Sequence, residues 1–378
     1  MTESQPMRRR TLLKAGAGAA TVAVVGTELA TAGAAHAAPS EKFPWIIDGQ
    51  TWGARPPTSE VVLRAGTTKK IIVHHTAYPN STDYSREQAI WLARDIQRLH
   101  QDVNGWADSG QHFTISRGGY VLEGRARSLE TLDTGLAQVV AAHCPGRNID
   151  SIGIENEGTY ITETPTQALW DSLVRLCVAI SKQYNIKAHN MFGHWDFRAT
   201  LCPGRAFYDQ FPQLRRDVAV ALGTRLAEVP ERTWPDIYNA IGGPAVRLAQ
   251  WLLRNAGYDI QPTGVWSAAM TLAIQDWQAK HGLPVSPDGN MTDATWESLA
   301  PELDKKATGD AVSGIQNILN AKGDAEVVVN GEFDLATKHA VKRLQLLHGL
   351  DENGKIDAST WCAISGGIVR ESFTGALS

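Results

Sequence analysis

Between residues 43 and 222, short β-branched runs alternate with longer stretches whose apolar positions recur every three or four residues. That is the imprint of strands alternating with amphipathic helices. Lys70-Ile71-Ile72-Val73-His74 reads as a buried strand. Ser85-Arg86-Glu87-Gln88 is a capping box, and Ala89, Leu92, Ala93, Ile96, Leu99 and Val103 mark the apolar face of the helix that follows. His112 to Ser116 and Tyr120 to Glu123 flank Arg117-Gly118-Gly119, a hairpin with a glycine turn. Ser151 to Glu157 is a further strand. Thr164-Pro165-Thr166-Gln167 is a second capping box with proline in the first turn, ahead of Leu169, Leu173, Leu176, Cys177 and Ile180 at helical spacing. Asn190 to Gly193 reads as a last strand and Arg205 to Leu222 as a last helix. Strands and helices alternating around one core predict an α/β domain.

Beyond residue 243 the spacing is helical and the pattern occurs twice. Val246, Ala249, Gln250 and Leu253 match Val312, Ile315, Gln316 and Leu319, each 66 positions on. Gly264, Trp266, Ala273, Gln278, His281 and Gly282 match Gly331, Phe333, Ala340, Gln345, His348 and Gly349, each 67 on. Gly289, Thr295 and Trp296 match Gly354, Thr360 and Trp361, each 65 on. Such drift is what loop insertions leave in a duplicated unit. Residues 244–301 and 305–368 are therefore expected to be two small, mainly helical domains, joined to the first by a linker, residues 223–243, that holds Pro230 and Pro235. Trp296 and Trp361 stand at a helix start in both copies and read as core. Neither copy has paired carboxylates, clustered metal ligands or a nucleophile with a base, so the chemistry belongs to the first domain.

The first forty residues are not expected to be part of the fold. A basic start at Arg8-Arg9-Arg10, a small-residue middle and an A-x-A site at Ala35-His36-Ala37 describe an export signal over residues 1–37. Arg9-Arg10 with Leu12-Leu13-Lys14 is similar to a twin-arginine signal. No charge-free run reaches the roughly 18 apolar residues of a span, so the mature protein is expected outside the cytoplasm and free of the membrane. A net charge of -4 gives no electrostatic reason to expect nucleic acid as a partner. In an oxidising compartment four cysteines are compatible with one bridge, Cys144 to Cys177, and one metal-bound thiolate.

His74 ends an apolar strand, His194 follows Met191-Phe192-Gly193, and Cys202 precedes Pro203-Gly204. Two imidazoles and a thiolate suit Zn²⁺ and leave a fourth position for water. Adjacent strand side chains point to opposite faces, so His74 and His75 cannot easily share one ion. By the same alternation Glu155 and Glu157 fall on one face, with Ile152 and Ile154 on the core face.

Val73-His74-His75-Thr76-Ala77, Phe192-Gly193-His194 and Thr200-Leu201-Cys202-Pro203-Gly204 resemble the type 2 N-acetylmuramoyl-L-alanine amidase family, which includes the animal peptidoglycan recognition proteins. Asp108-Ser109-Gly110-Gln111-His112-Phe113 and Leu122-Glu123-Gly124-Arg125 fit it in the same order. The resemblance covers roughly residues 44–222. It implies a mixed central β-sheet with flanking helices, and one Zn²⁺ held by His74, His194 and Cys202. Where many members carry a catalytic tyrosine this chain has Gln111. A muropeptide-recycling branch instead uses a glutamate in I-G-I-E-x-E-G, which implies Glu155 as the base and Glu157 as the runner-up. Thr200 is implied as an oxyanion donor, the alternative being a loop threonine that bonds its own backbone. His143 resembles a substrate-contacting histidine of that branch.

The repeats resemble the helical peptidoglycan-binding domain. The implied function is zinc-dependent cleavage of the amide between N-acetylmuramic acid and L-alanine, by a wall-associated protein with peptidoglycan as both substrate and anchor. The alternative is a non-catalytic recognition protein. A glycosidase would need two carboxylates flanking the sugar bond, and the H-E-x-x-H of zinc peptidases is absent from the chain.

Overall fold

A computed structural model describes residues 39–66, 68–239, 241–321 and 326–377, and the expected export signal lies outside them. Six strands form one mixed sheet: β1 (Ile46–Ile47), β2 (Lys70–His75), β3 (Phe113–Ile115), β4 (Val121–Glu123), β5 (Ser151–Asn156) and β6 (Met191–Gly193). Their order is β1-β4-β3-β5-β2-β6. β3 and β4 are the antiparallel hairpin, while β1–β4, β3–β5, β5–β2 and β2–β6 pair in parallel. Parallel strands covered on both faces are continuously apolar, as Ile71, Ile72 and Val73, all fully buried, show for β2.

Helices α1 (Arg86–Arg98), α2 (Gln167–Tyr184) and α3 (Phe211–Leu222) flank the sheet, as the resemblance implied. Ser85 caps α1 by accepting the Gln88 amide proton. The apolar stripe of α1 holds through Ile96 and then breaks. Residues Leu99–Val103 wind as a π-helix, which shifts the side-chain phase and leaves Val103 exposed. The cap of α2 is Thr166, so Pro165 lies ahead of the helix instead of in its first turn. The stretch expected as one last helix is two, Arg205–Tyr208 and α3.

Each repeat contributes three helices: α4 (Pro244–Asn255), α5 (Ala268–Lys280) and α6 (Asp293–Leu299), then α7 (Asp310–Ala321), α8 (Leu335–Leu347) and α9 (Ala358–Ser365). The repeated glutamines are buried pins. Gln250 accepts from the Gly264 amide and donates to the Val265 carbonyl, and Gln316 does the same at Gly331 and Glu332. Trp296 and Trp361 are buried, and their indoles donate to the Pro235 and Pro301 carbonyls. The copies share a single apolar core. α4 lies against α7 where Gly314 faces Trp251, and a Cβ there would come within 2.8 Å of the Trp251 Cβ.

Three residues of the expected linker, Trp234, Asp236 and Tyr238, are held by partners outside it. Trp234 stacks on Trp296 with centroids 5.7 Å apart and planes 7° apart. Asp236 pairs with Arg147 at 3.1 Å, and Tyr238 donates to the Gly146 carbonyl at 2.6 Å. The chain end then returns: β7 (Arg232–Thr233) pairs antiparallel with β8 (Ile368–Val369), and Ile368, Phe373 and Leu377 join the core of the first domain.

All four cysteines are free, so the bridge expected between Cys144 and Cys177 is not formed. Both are buried in the apolar core, where a thiol acts as a small hydrophobe. Among the described residues no helix is long and apolar enough to cross a membrane.

Phe373 is fully buried although it lies 151 positions beyond the end of α3. Phe373→Ala is expected to cost about 3–5 kcal/mol, read by denaturant unfolding of the first domain. A loss under about 1 kcal/mol would show that the tail is not part of that core.

Candidate active site

The parallel strands β2, β5 and β6 end on one edge of the sheet, the edge at which α/β sheets open their crevices. Their register decides which side chains meet there. His74 lies opposite Glu155, and Val73 opposite Gly193, so His194 begins its turn beside them. The loop through Thr200 brings in Cys202. One ligand atom from each of His74, His194 and Cys202 lies within 4.8 Å of the others.

A hydrogen-bond chain fixes the His74 ring. The Ser151 hydroxyl donates to the Arg147 carbonyl at 2.6 Å, so it accepts from His143 Nε2 at 3.3 Å. His143 Nδ1 is then the acceptor for His74 Nε2–H at 2.9 Å. This assigns His74 the tautomer whose Nδ1 lone pair faces Cys202 Sγ, 3.6 Å away. His194 Nε2 is buried without a hydrogen-bond partner among the described residues. Burial holds His74 well below the usual imidazole range, with the neighbouring His194 adding to it, and holds His194 down at about 4. Both rings are therefore neutral and offer lone pairs. Burial pushes the Cys202 thiol well up, so a thiolate there needs a cation beside it. An orphaned imidazole nitrogen, a second imidazole with its lone pair turned inward and a thiol fit a tetrahedral zinc site with one open position.

Six further residues named from the sequence are placed as follows. Glu155 lines the same groove as the three donors, and burial pushes its carboxyl up to about 7. Glu157, expected on the same face, follows the last residue of β5 and is buried. Its two oxygens accept from Gln88 Nε2 and the Arg117 amide, each at 2.8 Å. Thr200 lines the groove while its Oγ1 accepts the Cys202 amide proton at 3.2 Å. His143 sits behind His74, with 7% exposure to the groove. His75, adjacent to His74, accepts the Tyr160 amide proton at 3.3 Å on Nδ1. Gln111 is buried and donates to Thr114 Oγ1.

The groove has a volume of about 750 Å³. Sequence reasoning missed part of its wall, since Pro244 and Arg247 of the first repeat and Ala321 of the second line it too. Contacts between domains leave no periodic trace in the sequence. Ser151, which anchors the histidine chain, was likewise legible only as a strand residue.

Residues 64–205 match the family described as N-acetylmuramoyl-L-alanine amidase. Residues 242–299 and 308–364 each match the family described as "Putative peptidoglycan binding domain". Peptidoglycan-recognition protein SC2 of Drosophila melanogaster is 32% identical over 166 residues, 44% of this chain and 83% of that protein. The N-acetylmuramoyl-L-alanine amidase of Homo sapiens is 31% identical over 162 residues, 42% of this chain and 26% of that protein. Peptidoglycan-recognition protein LB of Drosophila melanogaster is 32% identical over 160 residues, and the chain spans 64% of its length. The solved structure of wild-type Drosophila PGRP-LB aligns with 43% of this chain and 89% of that one at 31% identity, with a TM-score of 0.38. On the family match over residues 64–205 and the similarity to recognition protein SC2, the chain belongs to the family of N-acetylmuramoyl-L-alanine amidases and peptidoglycan recognition proteins.

Proposed function

We propose that the protein is an exported zinc amidase that hydrolyses the bond between N-acetylmuramic acid and L-alanine in peptidoglycan, with its repeats binding the same polymer. The observation that carries this reading is Glu155 in one groove with the His74, His194 and Cys202 donors. Zinc bound there would supply Lewis acidity, lowering the pKa of a water and polarising the amide carbonyl. Glu155 takes the proton of the attacking water and passes one to the leaving alanine nitrogen, help worth about 10²–10⁴-fold. Thr200 Oγ1 already accepts a backbone proton, so its own hydroxyl proton is left to donate to the developing oxyanion. His143 holds the His74 ring in its tautomer. Glu157, with both oxygens engaged, supports the hairpin turn at Arg117 and does no chemistry. The names of the relatives support peptidoglycan as the ligand, and a polymer of the wall agrees with the export signal read over residues 1–37.

Non-catalytic recognition is the second reading. It is favoured by Gln111, which is buried, bonded to Thr114 and not among the residues that line the groove. Zinc content and release of stem peptides by the mature protein separate the two. The wild type is expected to hold about one zinc and to free stem peptides. A chelator should abolish release, and Glu155→Gln should keep zinc but lose release. Zinc and peptidoglycan binding without release would make it a recognition protein.

The two glutamates should also part in stability. Glu157→Ala leaves the buried Arg117 amide and Gln88 without their acceptor, and is expected to cost about 1–3 kcal/mol. Glu155→Gln should leave the unfolding midpoint near that of the wild type. Equal losses would overturn the division of roles.

A further inference from the structure

We infer that Arg247, a residue of the first repeat, binds a carboxylate of the stem peptide inside the catalytic groove; the inference rests on the peptidoglycan reading of that groove. Of the described residues lining the groove, Glu155 and Arg247 are the ones with an acid or guanidinium side chain. The groove's fixed positive charge thus comes from the repeat and not from the catalytic domain.

The repeat is seated firmly enough to present it. A Cβ on Gly243, whose φ is +108°, would lie 2.7 Å from the Arg198 carbonyl carbon, so the start of α4 rests directly against the loop that follows His194. The Arg247 guanidinium lies over Gly264, where a Cβ would stand 3.3 Å from Nε. Nη2 donates to the Thr263 carbonyl at 3.2 Å. Nε is buried without a hydrogen-bond partner among the described residues.

The duplication supplies an internal control. Offset by 66, like its neighbours Val246 and Val312, Arg247 corresponds to Ser313. Ser313 Oγ occupies the matching place, 3.0 Å from a Cβ built on Gly331. The scaffold therefore accepts a serine here, and the arginine occurs in the copy whose position faces the groove. A guanidinium fork matches a carboxylate with two parallel hydrogen bonds. Stem peptides carry free carboxylates, whereas the glycan's sugar hydroxyls are neutral.

The test uses the zinc-loaded full chain and two soluble muropeptides, one with free stem carboxylates and one with them amidated. Arg247→Ser, which copies the second repeat at this position, is expected to reduce the preference in kcat/KM for the acidic substrate about tenfold, mainly through KM. Arg247→Lys should recover part of the preference. A thermal unfolding midpoint matching the wild type keeps the Arg247→Ser result separate from misfolding, and Arg247→Gln serves if that variant does not fold. An unchanged preference in a folded variant that still turns over would overturn the inference and leave the amidase reading standing. If the wild type shows no turnover, calorimetric binding of the same two muropeptides decides. Weaker binding of the acidic one alone by Arg247→Ser upholds the inference while the hydrolytic reading falls, and equal or absent binding overturns it.

Discussion

Parallel pairing of β2 with β5, in the register that sets His74 against Glu155, is the constraint on which the site depends. In a strand, a slip of one residue turns every side chain to the other face. Slipping β2 would set His74 opposite Ile154 or Asn156 and break the apolar pairs Ile71–Ile152 and Val73–Ile154. Those pairs carry no chemistry, yet their burial holds His74 beside Glu155. The end of the ladder is then tied by Asn156, whose side chain donates to the His74 carbonyl at 2.8 Å and whose own carbonyl accepts from Thr76. Packing energy at the bottom of the strands is thus converted into position at the top.

Burial has a second consequence for the groups it gathers. The imidazoles are held neutral, the thiol is pushed up, and the Glu155 carboxyl is pushed up to about 7. Each shift has desolvation as its largest cause, so each disfavours whichever form is charged. A divalent cation reverses that preference for thiol and carboxyl together while leaving the neutral imidazoles as ligands. The Ser151–His143–His74 chain turns one of those lone pairs inward, so a bound ion would require little reorganisation.

Much of this was legible in the sequence, because strands and helices buried on a face write their period into it. His74, His194, Cys202 and Glu155 could be named through motifs that resemble the amidase family, and the apolar runs beside His74, His194 and Glu155 became β2, β6 and β5. The misreadings have local physical reasons. Val103 carries the right spacing for the α1 stripe, but a π-turn rotates it outward. Glu157 continues the alternation on paper, but β5 ends at Asn156 and two hydrogen bonds draw the carboxylate into the scaffold. Residues 223–243 look like a linker because prolines and mixed polarity leave no period, yet Trp234 and Asp236 each meet a partner far away in sequence.

That fixed connection changes what the repeats can do. A flexible tether raises local substrate concentration in proportion to its reach and leaves the tethered site otherwise unchanged. Here Trp234 stacked on Trp296, Asp236 paired with Arg147, and the β7–β8 pair hold the repeats against the first domain. The gain is therefore in orientation: one strand of polymer can meet the helical unit and the groove in a set geometry. Removing everything beyond residue 243 would also strip Pro244 and Arg247 from the groove wall, and Phe373 and Leu377 from the core beneath it. Loss of activity on small soluble fragments would follow from that geometry as readily as loss on intact wall. A truncation of this chain cannot separate what the repeats bind from how they shape the groove, whereas single side chains at the groove wall can.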